Sequence, residues 1–205
     1  MLAVALSLAG VWWTSVRNPV CWPVGLASVL LYGWIFLGAR LYSDALLQIV
    51  YAVLQCYGWW CWRRAGGDAP DAGRDAAGGA ARQASRRPPV AHPRAGQLLA
   101  ALLAGIAGAL ALGALMHRYT DAALPWLDAS LAAMSLVAQF WMARLYRLNW
   151  LLWIGVDLVY IGLYLNRGLA LTAALYAGFV ALAAYGWWQW RPQARGSAAP
   201  AQAAG

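Results

Sequence analysis

The chain contains no lysine and no glutamate: its fifteen basic residues are all Arg, its seven acids are all Asp, and charged residues occupy only 11% of 205 positions. Without a lysine amine there is no retinal Schiff base, no phosphate-cradling GxxxxGK[ST] loop and no Lys-dependent catalysis. A light-driven pump and an ATPase within the chain are therefore both excluded. Histidine and cysteine are scarce too. His92 and His117 lie apart from Cys21, Cys56 and Cys61, and each cysteine falls in or beside an apolar stretch. No metal-ligand spacing or disulfide framework emerges, and the cysteines read as small buried fillers. No cofactor is expected, and with no His, Cys or paired-acid constellation on the polar faces described below, no enzyme activity either.

What the chain has in excess is apolar surface, 63% of its residues with a mean hydropathy of +0.54. One soluble core could not hide so much, and a lipid bilayer is the natural solvent for the remainder. The apolar residues come in seven runs: Met1 to Val16, Val20 to Ala39, Leu41 to Trp62, Leu98 to Met116, Leu124 to Ala143, Trp150 to Leu165 and Leu169 to Trp190. A bilayer core takes about 17 to 20 residues of helix, so each run is read as one span. The first run lacks basic residues at its start and a small-x-small cleavage site, which reads as a span rather than a signal peptide.

The arginines orient these spans, because cytoplasmic loops carry the basic excess. Twelve follow the first, third, fifth and seventh spans, and only Arg40, Arg118 and Arg167 lie on the other side. The expectation is an N-terminus outside and a C-terminus in the cytoplasm of a multi-pass protein of the cell inner membrane. The net charge of +8 thus reflects topology, and no nucleic-acid partner is expected because the arginines flank membrane spans. Residues 63–96 are rich in Ala, Gly, Arg, Pro and Asp without apolar periodicity and read as a mobile cytoplasmic loop, with residues 191–205 as a disordered tail.

An internal repeat organises the spans. Gly58-Trp59-Trp60-Cys61-Trp62 closes the third and Gly186-Trp187-Trp188-Gln189-Trp190 closes the seventh, 128 positions later. At the same offset Trp22 meets Trp150, Tyr32 meets Tyr160 and Tyr57 meets Tyr185. Residues 1–62 then form one three-helix repeat and residues 124–190 a second, with a linking helix at 97–117. Four crossings precede the second copy, so it starts on the same side as the first. The fold class is an all-α integral membrane protein, two parallel three-helix repeats in a 3+1+3 arrangement.

Polar residues recur at helical spacing inside the spans. Asp44, Gln48, Tyr51, Gln55, Trp59 and Trp62 share one face of the third helix, and Asn149, Trp153, Asp157, Tyr160 and Tyr164 one face of the sixth. Ser135 and Gln139, Tyr32, and Thr172 with Tyr176 add to these from the fifth, second and seventh. Such groups lose their hydrogen bonds in lipid, so both faces must look inward, as helix–helix contacts or as the lining of a chamber. Trp and Tyr rings stack on flat or cationic groups, and amides pair with carboxamides and hydroxyls. A small aromatic solute, hydroxylated or cationic, matches this set. The Trp girdles at 58–62 and 186–190 read as headgroup anchors, with Trp59 the candidate gate.

These residues resemble a known family. Cys-Trp-Pro-Val-Gly at 21–25, Leu-Tyr-Ser-Asp-Ala-Leu-Leu-Gln-Ile-Val-Tyr at 41–51 and Tyr-Gly-Trp-Trp-Cys-Trp at 57–62 resemble the first half of the PnuC nicotinamide riboside transporters. Ser-Leu-Val-Ala-Gln-Phe-Trp-Met-Ala-Arg at 135–144, Asn-Trp-Leu-Leu-Trp-Ile at 149–154 and Gly-Leu-Tyr-Leu-Asn-Arg-Gly-Leu-Ala-Leu-Thr-Ala at 162–173 are similar to its second half. The resemblance implies a fold related to SWEET sugar carriers, facilitated diffusion of nicotinamide riboside with trapping by cytoplasmic phosphorylation, and homotrimers. It also implies binding by Gln48, Tyr51, Gln139, Asn149, Trp150, Trp153 and the Asp157–Tyr160 turn. A sister specificity for thiamine or riboflavin, and a seven-helix sensor that binds without transport, remain the alternative readings. The 63–96 segment is longer than the family pattern implies, and the N-terminus shorter.

Overall fold

The computed structural model describes residues 2–38, 42–67, 88–120 and 123–191. Among them are seven helices, α1 (Leu2–Ser15), α2 (Cys21–Gly38), α3 (Tyr42–Gly67), α4 (Ala95–Tyr119), α5 (Pro125–Ala143), α6 (Asn149–Asn166) and α7 (Ala170–Gln189), and no named strand. Three of these, α2, α4 and α7, are long and apolar enough to cross a membrane by length and composition alone. The other four are shorter or carry the polar groups that face inward. Large apolar side chains cover the outside, with Leu171 83% and Trp34 78% exposed, a surface that only lipid or another apolar partner can cover.

The repeat is visible down to single hydrogen bonds. The α1–α2 turn is closed by Arg17 N–H to Thr14 O at 3.0 Å and Asn18 N–H to Trp13 O at 2.8 Å. The α5–α6 turn is closed by Leu145 N–H to Met142 O at 3.0 Å and Tyr146 N–H to Trp141 O at 2.9 Å, the same bonds 128 positions on. Arg17 and Leu145 are also, among the described residues, the two non-glycine residues with positive φ, 56° and 60°, the left-handed position that ends a helix in this kind of cap. Helices pack in matching pairs: α2 on α3 and α6 on α7 within repeats, α1 on α7 and α3 on α5 between them.

The linking helix α4 leans on α5 through Gly105, Ala109 and Gly113, a line of small residues four apart that lets the backbones approach. A Cβ at Gly105 would meet Val137 Cγ2 at 2.6 Å, and one at Gly113 would meet Trp126 Cε3 at 2.5 Å.

The expected loop at 63–96 is more ordered at both ends than its composition suggests. Helix α3 runs on through Arg63 and Arg64 to Gly67, and the Arg64 guanidinium lies 3.9 Å from the Trp60 ring centroid, a contact that favours the helical turn. Residues 88–94 form a strap. Pro88 is fully buried, its carbonyl accepts a 3.3 Å hydrogen bond from Arg17, and the Ala91 N–H donates to Leu145 O at 3.0 Å. The strap is thus tied to the equivalent turn residue of each repeat. The tail from 192 onward, and the loop between these ends, lie outside the described residues.

Candidate solute chamber

Four indoles meet on the pseudo-twofold axis at the strap end of the bundle. Trp22 packs edge-on against Trp62 at 5.3 Å and 83°, Trp150 against Trp190 at 5.5 Å and 89°, and Trp62 faces Trp190 at 5.8 Å across the axis. All four are buried. Glycine makes room for them: a side chain at Gly58 would collide with the Trp22 ring, and one at Gly186 with the Trp150 ring. The inner indoles also bridge the repeats. Trp62 Nε1 donates to Met142 O at 3.1 Å and Trp190 Nε1 to Ser15 O at 3.0 Å.

Above this floor lies a cavity of about 400 Å³ lined by both repeats, the size of a small-molecule site. Trp22 and Trp150 form its base, and Gln48, Tyr51 and Gln55 of α3 make one wall. Trp153, Asp157 and Tyr160 of α6 and Tyr176 of α7 make the other, and Ser135 and Gln139 of α5 complete it. Every third or fourth residue of α3 and α6 is needed because only that spacing keeps the groups on one helical face. At the far end, roughly 15 Å along α6 from Trp150 at 1.5 Å per residue, Tyr160, Tyr164 and Tyr176 cluster with centroids 5.0 to 5.9 Å apart.

None of the described lining residues is basic, so Asp157, 6% exposed, has no cationic partner among them. The indole N–H groups of Trp22, Trp150 and Trp153 are buried with no hydrogen-bond partner among the described residues. Each such donor carries a desolvation cost of about 1–3 kcal/mol unless something supplies an acceptor. The chamber can therefore hold a flat ring, accept and donate hydrogen bonds, and balance a positive charge.

The structure brings together Gln48, Tyr51, Gln139, Trp150, Trp153, Asp157, Tyr160 and Tyr176 in this lining. It places Asn149 outside it. As the first residue of α6, Asn149 is buried, and its Nδ2 turns back to donate to Tyr146 O at 2.7 Å, while its Oδ1 has no partner among the described residues. Trp59 is also elsewhere, in a lateral groove with Cys56, Trp60, Arg63 and Arg64. The chamber base is Trp22 and Trp150, with Trp62 and Trp190 beneath. Trp22 was visible in the sequence only as a repeat match, Trp62 as a stripe member and girdle anchor, and Gln55 only as a stripe member. The Asp44 side chain lies outside the described residues.

Comparison with known proteins agrees with this architecture. A family model described as nicotinamide mononucleotide transporter matches residues 1–192. The nicotinamide riboside transporter PnuC of Escherichia coli (strain K12) is 27% identical, over 83% of this chain and 75% of that protein. The riboflavin/roseoflavin transporter RibM of Streptomyces davaonensis is 29% identical, over 92% of this chain and 80% of its own length. The crystal structure of the vitamin B3 transporter PnuC superposes with a TM-score of 0.66 at 25% identity, covering 92% of this chain and 78% of that one. The fold, the two-repeat chamber and these matches together mean that the chain belongs to the nicotinamide mononucleotide transporter family, as a PnuC-type vitamin transporter of the membrane.

Proposed function

We propose that this protein equilibrates nicotinamide riboside across the cytoplasmic membrane by alternating access between its two repeats. The observation that carries this reading is a buried carboxyl, Asp157, with no basic residue among the described residues of a chamber rich in aromatic side chains. A buried charge is tolerated when it is paired, and the pyridinium ring of nicotinamide riboside brings a positive charge on a flat ring suited to Trp and Tyr faces. The ribose hydroxyls and the carboxamide oxygen offer acceptors to the unpaired indoles and partners to Gln48 and Gln139.

In this reading the strap end faces the cytoplasm, as the arginine distribution favours. Opening there requires the four-indole floor to part, and net uptake follows from cytoplasmic phosphorylation of the solute, whose product no longer fits. Riboflavin is the second reading, favoured by the similarity to RibM. Reconstituted vesicles preloaded with unlabelled nicotinamide riboside should accumulate the labelled compound by counterflow. Exchange of riboflavin but not of nicotinamide riboside would select the second reading. Binding without exchange of either would make the protein a sensor.

A further inference from the structure

The two repeats differ at the chamber wall in a reciprocal way. Gly25 and Gln55 of the first repeat correspond, at the offset of 128, to Trp153 and Ala183 of the second, and all four line the cavity. In the second repeat the large group comes from the helix after the turn, and alanine stands opposite. In the first repeat the helix after the turn supplies glycine, and the third helix fills the space with an amide. The Gln55 amide lies directly on Gly25: a Cβ there would come within 2.6 Å of Nε2 and 2.9 Å of both Cδ and Oε1. No hydrogen bond to this amide exists among the described residues. A glutamine serving only as glue between helices would be bonded to its neighbour.

We infer that Gln55 is a specificity-determining residue, which reads the carboxamide edge of a flat ring stacked on Trp153 at the equivalent position across the axis. The inference rests on the nicotinamide riboside reading and sharpens it. An indole at one symmetry-related position and an unbonded amide at the other give the chamber one stacking side and one hydrogen-bonding side at the same depth above the Trp22 and Trp150 base. A primary carboxamide offers the donor and acceptor complementary to the Gln55 amide. A ring without that substituent would leave the amide unmatched, and polar sites reject ligands that leave their groups unpaired.

The test is a fluorescence titration of the purified full chain with nicotinamide riboside and with N-ribosylpyridinium, which keeps the charge, ring and ribose but lacks the carboxamide. Wild-type protein should prefer nicotinamide riboside by about tenfold. Gln55→Leu should bind N-ribosylpyridinium as wild type does, which verifies the fold and the stacking side, and should lose most of the preference. Gly25→Ala, whose new methyl displaces the amide, should lose it as well. A preference that survives in Gln55→Leu overturns the role of Gln55 and leaves the substrate reading intact. Wild-type protein that binds neither riboside overturns the substrate reading, and this inference with it.

Discussion

The indole nitrogen of Trp62 sits 3.1 Å from the carbonyl oxygen of Met142 in the other repeat, and the bond is returned by Trp190 to Ser15 at 3.0 Å. Each repeat thus closes the other. Trp62→Phe keeps an aromatic ring but removes the donor and the fused pyrrole ring, and should lower stability by about 1–3 kcal/mol for the lost buried hydrogen bond that strands its partner, with a further cost for the space left at this buried site. Trp190→Phe should cost a similar amount. Melting temperatures in detergent measure both, and a loss confined to one of the two variants would contradict the reciprocal closure.

Gly58→Ala and Gly186→Ala each place a methyl group in an indole ring. Overpacking of this kind costs about 1–3 kcal/mol or more. Gly108→Ala, where the methyl meets nothing within 4 Å, is the control and should be neutral or slightly stabilising. Gly58→Ala and Gly186→Ala proteins that melt no earlier than Gly108→Ala would show that the indoles can yield to the added methyl and that the glycines are not needed as Trp seats.

Asp157→Asn removes the carboxylate without changing its shape. Nicotinamide riboside affinity should fall about tenfold or more, as for loss of a desolvated charge partner. Uncharged riboflavin, if it binds, should be unaffected. Isothermal titration of the two ligands against both proteins separates these outcomes, and an unchanged affinity for the cationic ligand would remove Asp157 from the site.

Asn149→Leu and Gln48→Ala should differ in kind. The Asn149 amide holds the Tyr146 carbonyl at the start of α6, so its loss should lower the melting temperature and reduce uptake together. Gln48 lines the cavity, and its truncation should weaken binding with little change in melting. A Gln48→Ala protein that melts early and binds normally would reverse the two assignments.

The strap ties both repeats through Arg17 and Leu145. Ala91→Pro deletes the N–H that Leu145 accepts, freeing one attachment. If rocking of the repeats limits exchange, counterflow should quicken while affinity stays the same. Unchanged counterflow in a variant whose strap amides have lost hydrogen-exchange protection would show that the strap does not restrain the motion.

Much of this was legible in the sequence because period and offset are local signals. Gln48, Tyr51 and Gln55 on α3 and Trp153, Asp157 and Tyr160 on α6 fall at helical spacing, and the structure turns both faces into one chamber. Asn149 shares the second stripe by count, yet the first residue of a helix is free to bend toward the preceding turn, and it does so. Trp59 was the natural gate among the girdle residues. Which indole reaches the axis depends on how each helix rotates against its partner, and the sequence period does not determine that angle between α3 and α5. The strap was hidden because Pro-rich, aperiodic residues look alike whether they pack or not, and only the partners Arg17 and Leu145 distinguish them.

At the four-indole floor each copy of the duplicated unit meets its own twin, so a substitution in one half is felt at once by the same residue in the other. The side walls have no such tether. Gly25 could part from Trp153, Val29 from Asp157 and Gln55 from Ala183 without disturbing the seam. A lineage built this way can exchange one cargo for another by revising a single flank, while the seam that both halves hold in common stays as it was.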